Sequence, residues 1–117
     1  MFTKRKDKRY PSFAMATMRD VFIGSALLKD ISVSGCRIEH TIMINVERGK
    51  RYTLHIKPES SANIGEFKVE AEVCWVKARD CACEAGFIIV ESPKGKAFQR
   101  YVDYLAYRSC HYPLSRT

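Results

Sequence analysis

The alternation from Phe67 to Trp75 constrains this chain more than any other feature. Phe67, Val69, Ala71, Val73 and Trp75 take every second position, with Lys68, Glu70, Glu72 and Cys74 between them. A β-strand turns successive side chains to opposite faces, so this run reads as one long strand with an apolar face and a wet one. Such a strand must cover its apolar face with other strands or a helix. The chain offers both. Residues Ser12–Arg19 alternate loosely, as in a first strand, and Ser25–Ser32 forms a second after Gly24. Cys36–Glu39 is a short third, and Tyr52, Leu54 and Ile56 alternate with polar neighbours in Arg51–Lys57. Lys77–Cys83 reads as a hairpin connection, from which Glu84–Val90 returns beside the long strand through Gly86-Phe87. Glu47–Lys50 is a turn, Pro58–Gly65 a loop by composition, and Thr41–Val46 carries no clear period.

After residue 91 the period changes. Ser92 is a candidate N-cap and Pro93 suits the first helical position. Phe98, Tyr101, Val102 and Leu105 then recur at helical spacing, predicting an amphipathic helix over residues 93–108 with its apolar stripe against the sheet. The expected fold is mainly β: a small antiparallel β-barrel of the six-stranded type, a C-terminal α-helix and a flexible basic N-terminal arm. With 117 residues there is room for one domain. Its parts are an arm over 1–10, a barrel over 11–91, a helical unit over 92–109 and a tail over 110–117.

Charge separates the arm from the rest. The chain carries a net +7, of which residues 1–10 supply +4 through Lys4, Arg5, Lys6, Lys8 and Arg9 against Asp7. The basicity therefore points to an anionic partner met by the N-terminus. With almost no apolar surface to bury, this arm is expected to be largely disordered without a ligand. No apolar run approaches the ~20 residues that span a bilayer, so no membrane insertion is expected. Met1-Phe2-Thr3-Lys4-Arg5 runs into charge without the apolar stretch of a secretory signal, which places the protein in the cytoplasm. An odd set of five cysteines then implies reduced thiols.

Two short patterns carry the chemistry. Arg5 and Arg9 stand four apart in the arm, while Asp30 and Ser32 stand two apart and are followed by Gly35. On a strand, Asp30 and Ser32 would project side by side from one face, with Gly35 supplying a positive φ at the exit. Two acceptor-rich side chains on a sheet, faced by two guanidinium forks, suit a guanine nucleotide. A structural alternative is a strand-to-turn junction in which Asp30 and Ser32 bond backbone groups. Cys81-Ala82-Cys83, with Cys74, Cys110 and His111, lacks the ligand spacing of common zinc sites, so no metal is expected. His40 and His55 have no Ser or Cys partner in any triad order and the acids are not paired for catalysis, so the chain does not read as an enzyme.

Taken in order, Arg5-Lys6-Asp7-Lys8-Arg9 and Asp30-Ile31-Ser32-Val33-Ser34-Gly35 resemble the R-x-x-x-R and [D/N]-x-S-x-x-G pattern of the PilZ domain family, bacterial receptors for cyclic di-GMP. The resemblance extends through Val73-Cys74-Trp75, Glu84-Ala85-Gly86-Phe87 and the Tyr101–Leu105 helix. It implies a non-catalytic signalling receptor that binds the nucleotide through Arg5, Arg9, Asp30, Ser32 and Gly35, with Lys4 and Trp75 as further candidates. The arm would close over the ligand and create a surface for a downstream protein target. Guanidinium forks can grip phosphate or the O6/N7 edge of guanine, and the Asp30 carboxylate can accept from guanine N1–H and N2–H₂. Alternation with Val73 and Ala71 assigns Trp75 to the core, whereas a twist or bulge would bring the indole to the rim near a guanine. Two other readings use the same residues. One is a PilZ-like interaction module without nucleotide. The other is a small barrel that binds nucleic acid through its arm, although its strands lack aromatics interleaved with Lys and Arg.

Overall fold

In the computed structural model, residues 8–91 and 96–111 are described. Arg5 and Lys4, the Ser92-Pro93 helix start and the tail after His111 lie outside the described residues. Seven strands form in chain order: β1 (Tyr10–Pro11), β2 (Met15–Thr17), β3 (Ala26–Ile31), β4 (Gly35–His40), β5 (Arg51–Lys57), β6 (Phe67–Ala78) and β7 (Cys83–Glu91). A 3₁₀ turn occupies Ser60–Ala62, and α1 spans Ala97–His111.

All pairings are antiparallel. The sheet order β3-β2-β5-β6-β7-β4 returns to β3 through the β3–β4 hairpin, which closes a six-stranded barrel. The two-residue β1 pairs with the far end of β3, Tyr10 opposite Ile31 and Pro11 opposite Asp30. Closure leaves none of the six strands with an open edge.

The period-2 residues of β6 fill the interior as their pattern requires. Phe67, Val69, Ala71 and Val73 are all buried, and they meet Leu54, Ile56 and Phe87 from the neighbouring strands. The stretch expected as one strand over 12–19 forms a strand only at Met15–Thr17, with the short β1 ahead of it at Tyr10–Pro11. It still alternates, with Ser12, Ala14, Ala16 and Met18 turned inward. The gap between β1 and β2 coincides with a one-residue change of register against β3, Pro11 standing opposite Asp30 but Met15 opposite Leu27.

Helix α1 covers one side of the barrel against β1 and β6. Phe98, Tyr101, Val102 and Leu105 are buried, as their spacing predicts, and the Phe67 ring lies 5.9 Å from Phe98 and 6.0 Å from Tyr101. The helix runs to His111, three residues past its expected end. A polar chain locks it in place. The Tyr101 hydroxyl donates to Glu59 Oε1 at 2.6 Å and is 2.9 Å from Ser12 Oγ, and Arg108 Nη1 donates to Glu59 Oε2 at 2.9 Å. The Arg108 guanidinium also lies 4.6 Å from the centre of the Phe13 ring. Ser12 directly follows β1, so the root of the arm and the helix share one hydrogen-bond network.

Candidate functional site

The bulge in β3 creates the site. Simple alternation from Ala26 and Leu28 would turn Asp30 inward, but the extra residue at Lys29 moves the inward position to Ile31, which is fully buried. Asp30 is thereby turned outward and faces Arg37 on β4. Arg37 in turn is opposite Gly86 on β7. Glu84 is on that same outer face of β7, two residues from Gly86.

Trp75 joins this face through a second bulge. Val73 pairs with Phe87 and Trp75 with Gly86, so Cys74 is the extra residue. The expected core position for Trp75 is therefore incorrect. The half-buried indole lies against Gly86, and a Cβ at that glycine would overlap its Cε2 and Nε1 atoms.

Around Asp30 the charges interlock. Arg37 Nη2 pairs with Asp30 Oδ2 at 2.8 Å, and Arg9 Nη1 reaches the other oxygen, Oδ1, at 3.5 Å. On its far side Arg37 Nη1 is 3.8 Å from Glu84 Oε1, which Arg79 also approaches at 3.8 Å. Both the Arg9 and the Arg37 Nε–H are buried and have no acceptor among the described residues. A buried donor left unpaired costs about 1–3 kcal/mol, so two such donors in one place mark a site still short of acceptors.

Gly35 serves through size rather than conformation. Its φ is not positive, contrary to expectation; in the described residues the glycines of positive φ are Gly24 and Gly49. A Cβ on Gly35 would lie 2.9 Å from the Phe87 carbonyl oxygen and 3.2 Å from Arg9 Nη2. Its absence allows β7 and the Arg9 guanidinium to approach together.

Ser32 does not project beside Asp30. It lies beyond the end of β3, is 1% exposed, and turns its hydroxyl into the β3–β4 turn. There Ser32 Oγ accepts from the backbone N–H groups of Ser34 and Gly35, both at 3.1 Å. The Ser32 N–H donates to the Gly35 carbonyl at 2.8 Å. This is the turn-bonding alternative, and it applies to Ser32 but not to Asp30.

Sequence reasoning did not single out Arg37, Glu84 or Arg79. The signal that would have found Arg37 is the short strand Cys36–Glu39 itself. Cys36 and Ile38 point inward, leaving Arg37 on the outer face beside any residue of β3 that a bulge turns outward.

Away from this face, Arg19, Arg51, His55 and Lys68 line a cleft of about 620 Å³ along β5 and β6, together with Asp20 and Glu70. Cys36 is fully buried, and burial pushes its thiol up to about 12. All five cysteines are unpaired. No group of three or more His, Cys, Asp and Glu side chains able to hold a metal occurs among the described residues. No described helix is long and apolar enough to cross a membrane.

A sequence profile of the PilZ domain matches residues 3–104. The chain belongs to the PilZ domain family. Two solved structures share its fold. The inhibitor of motility MotI/DgrA from Bacillus subtilis superposes with a TM-score of 0.70 at 15% identity, over 95% of this chain and 53% of that one. This PilZ domain thus spans about half the length of that protein. The PilZ domain of YcgR from Escherichia coli, solved with c-di-GMP, gives a TM-score of 0.66 at 16% identity, over 93% of this chain and 96% of that one. At these identities the likeness is one of fold. No curated protein sequence matches.

Proposed function

We propose that this PilZ domain is a non-catalytic receptor for cyclic di-GMP, the ligand with which the PilZ domain of YcgR was solved. The observation that carries the reading is the Arg9 guanidinium held between Asp30 and Gly35, with its buried Nε–H unpaired among the described residues. A guanidinium placed this way can offer two parallel donors to a phosphate or to the O6/N7 edge of guanine. The Asp30 carboxylate can accept from guanine N1–H and N2–H₂ together, a paired donor edge that adenine does not present. Trp75 on Gly86 offers a flat apolar surface at the same rim, of the kind on which a base stacks. Arg5 and Lys4 would come from the arm, which closes over the nucleotide and presents a composite surface to a downstream protein. Ser32 and the small Gly35 hold the turn that carries the site.

Calorimetric titration of the protein with cyclic di-GMP, beside R9A and D30A, tests this. Saturable binding is expected, weakened in each variant by at least about tenfold, since a bidentate contact to a base is worth roughly 1–3 kcal/mol. Absence of heat from the intact chain at high nucleotide concentration would overturn the reading. So would binding that falls steeply with salt and ignores the base, which is the behaviour of a nucleic-acid surface.

A further inference from the structure

We infer that Arg37, outside both motifs, is a positioning residue for guanine selectivity: it fixes the Asp30 carboxylate so that one oxygen is presented to the base. The inference rests on the receptor reading above and deepens it. Asp30 flanks the Lys29 bulge, which aims its side chain to the outer face directly opposite Arg37. Its two oxygens are treated differently. Oδ2 is taken by Arg37 Nη2 at 2.8 Å, while among the described residues Oδ1 has only the long 3.5 Å contact to Arg9. A carboxylate has about four acceptor positions, so anchoring one oxygen from the side leaves the other free to meet an N–H. Arg37 is itself held. Glu84, whose side chain is 6% exposed, lies 3.8 Å from its Nη1, and Arg79 shares that carboxylate at the same distance. The row Arg9, Asp30, Arg37, Glu84, Arg79 thus alternates in sign across the outer face of the barrel, and Asp30 is its more accessible acid, with a side chain 16% exposed against 6% for Glu84.

Charge alone does not achieve this. Only a planar fork can touch Asp30 with one nitrogen while turning another toward Glu84; an ammonium at position 37 is a single point that must choose. A positioning role also differs from a direct phosphate contact, because it vanishes when Asp30 is absent.

The test is a double-mutant cycle read in two ways. Binding of cyclic di-GMP and of cyclic di-AMP is measured by calorimetry for the wild type, R37A, R37K, D30A and D30A/R37A. The same proteins are unfolded in urea without ligand. R37A is expected to weaken cyclic di-GMP by about tenfold and to narrow its advantage over cyclic di-AMP, with R37K intermediate. Adding R37A to D30A should change nothing further, and the ligand-free cycle should show Asp30 and Arg37 coupled. Additive losses in the double variant would overturn the inference by making Arg37 a direct ligand contact. Unchanged or tighter binding by R37A would overturn it too, since Arg37 would then be idle or a competitor for Asp30. A wild type that gives no heat with either nucleotide defeats the receptor reading, and the role of Arg37 toward guanine with it. Wild-type binding without coupling in either cycle defeats the Arg37 inference alone.

Discussion

At the scale of single residues, the motif positions divide into those that face outward and those that hold the frame. Asp30 faces out with a partly engaged carboxylate, whereas Ser32 is spent on the backbone of the β3–β4 turn. Replacing Ser32 by alanine leaves the Ser34 and Gly35 N–H groups without their acceptor, a cost of about 1–3 kcal/mol for buried donors. S32A should therefore lower the urea midpoint clearly, with the wild-type slope preserved, while D30A changes it less. If S32A weakens nucleotide binding and leaves the midpoint where it was, Ser32 belongs to the ligand and not to the turn. The residue types at these sites were legible in the sequence, because Asp, Ser and Gly at that spacing point to either ligand or turn chemistry. Which of the two each residue performs was not legible, because it depends on one inserted residue at Lys29.

Among elements, the same lesson applies to strand register. The long alternation of β6, the hairpin after it and the apolar stripe of α1 could all be read directly, since each follows from a single unbroken period. Trp75 was misplaced because the period breaks at Cys74, where an extra residue sends the indole to the outer face with Gly86. A bulge costs a sequence nothing visible. It is recognised only when the partner strand is known, and here the partner offers a glycine under the ring. Gly86→Ala is expected to expel the indole, because its Cβ would occupy the place of the ring edge. Trp75 is the single tryptophan of the chain, so its fluorescence should shift to longer wavelength and become more accessible to a quencher. An unchanged emission spectrum in a folded G86A variant would show that the ring does not rest there.

For the whole molecule, alkaline pH reports on the core. Burial raises the Cys36 thiol from an ordinary value of 9.0 to about 12, and the Tyr101 hydroxyl is raised by burial and by its hydrogen bond to Glu59. Both groups hold their protons more tightly folded than unfolded, so below pH 9 neither changes the stability. Above it the unfolded chain loses protons first, and stability falls as pH rises toward the folded values. The slope from each group is limited to about 1.4 kcal/mol per pH unit. C36A should flatten the decline between pH 9 and the Cys36 value near 12, and unfolding curves at stepped pH would show it. An equal slope in both proteins would mean that Cys36 is not sealed in the core. The composite site has a consequence at this scale as well. Apart from Arg9, its residues come from the β3–β4 hairpin and from the β6–β7 hairpin, which are distant in the chain and are sewn together by the β4–β7 ladder. A nucleotide seated across that seam would act as a rivet between two halves of the polypeptide, so the messenger would be felt as slower unfolding as well as a new surface.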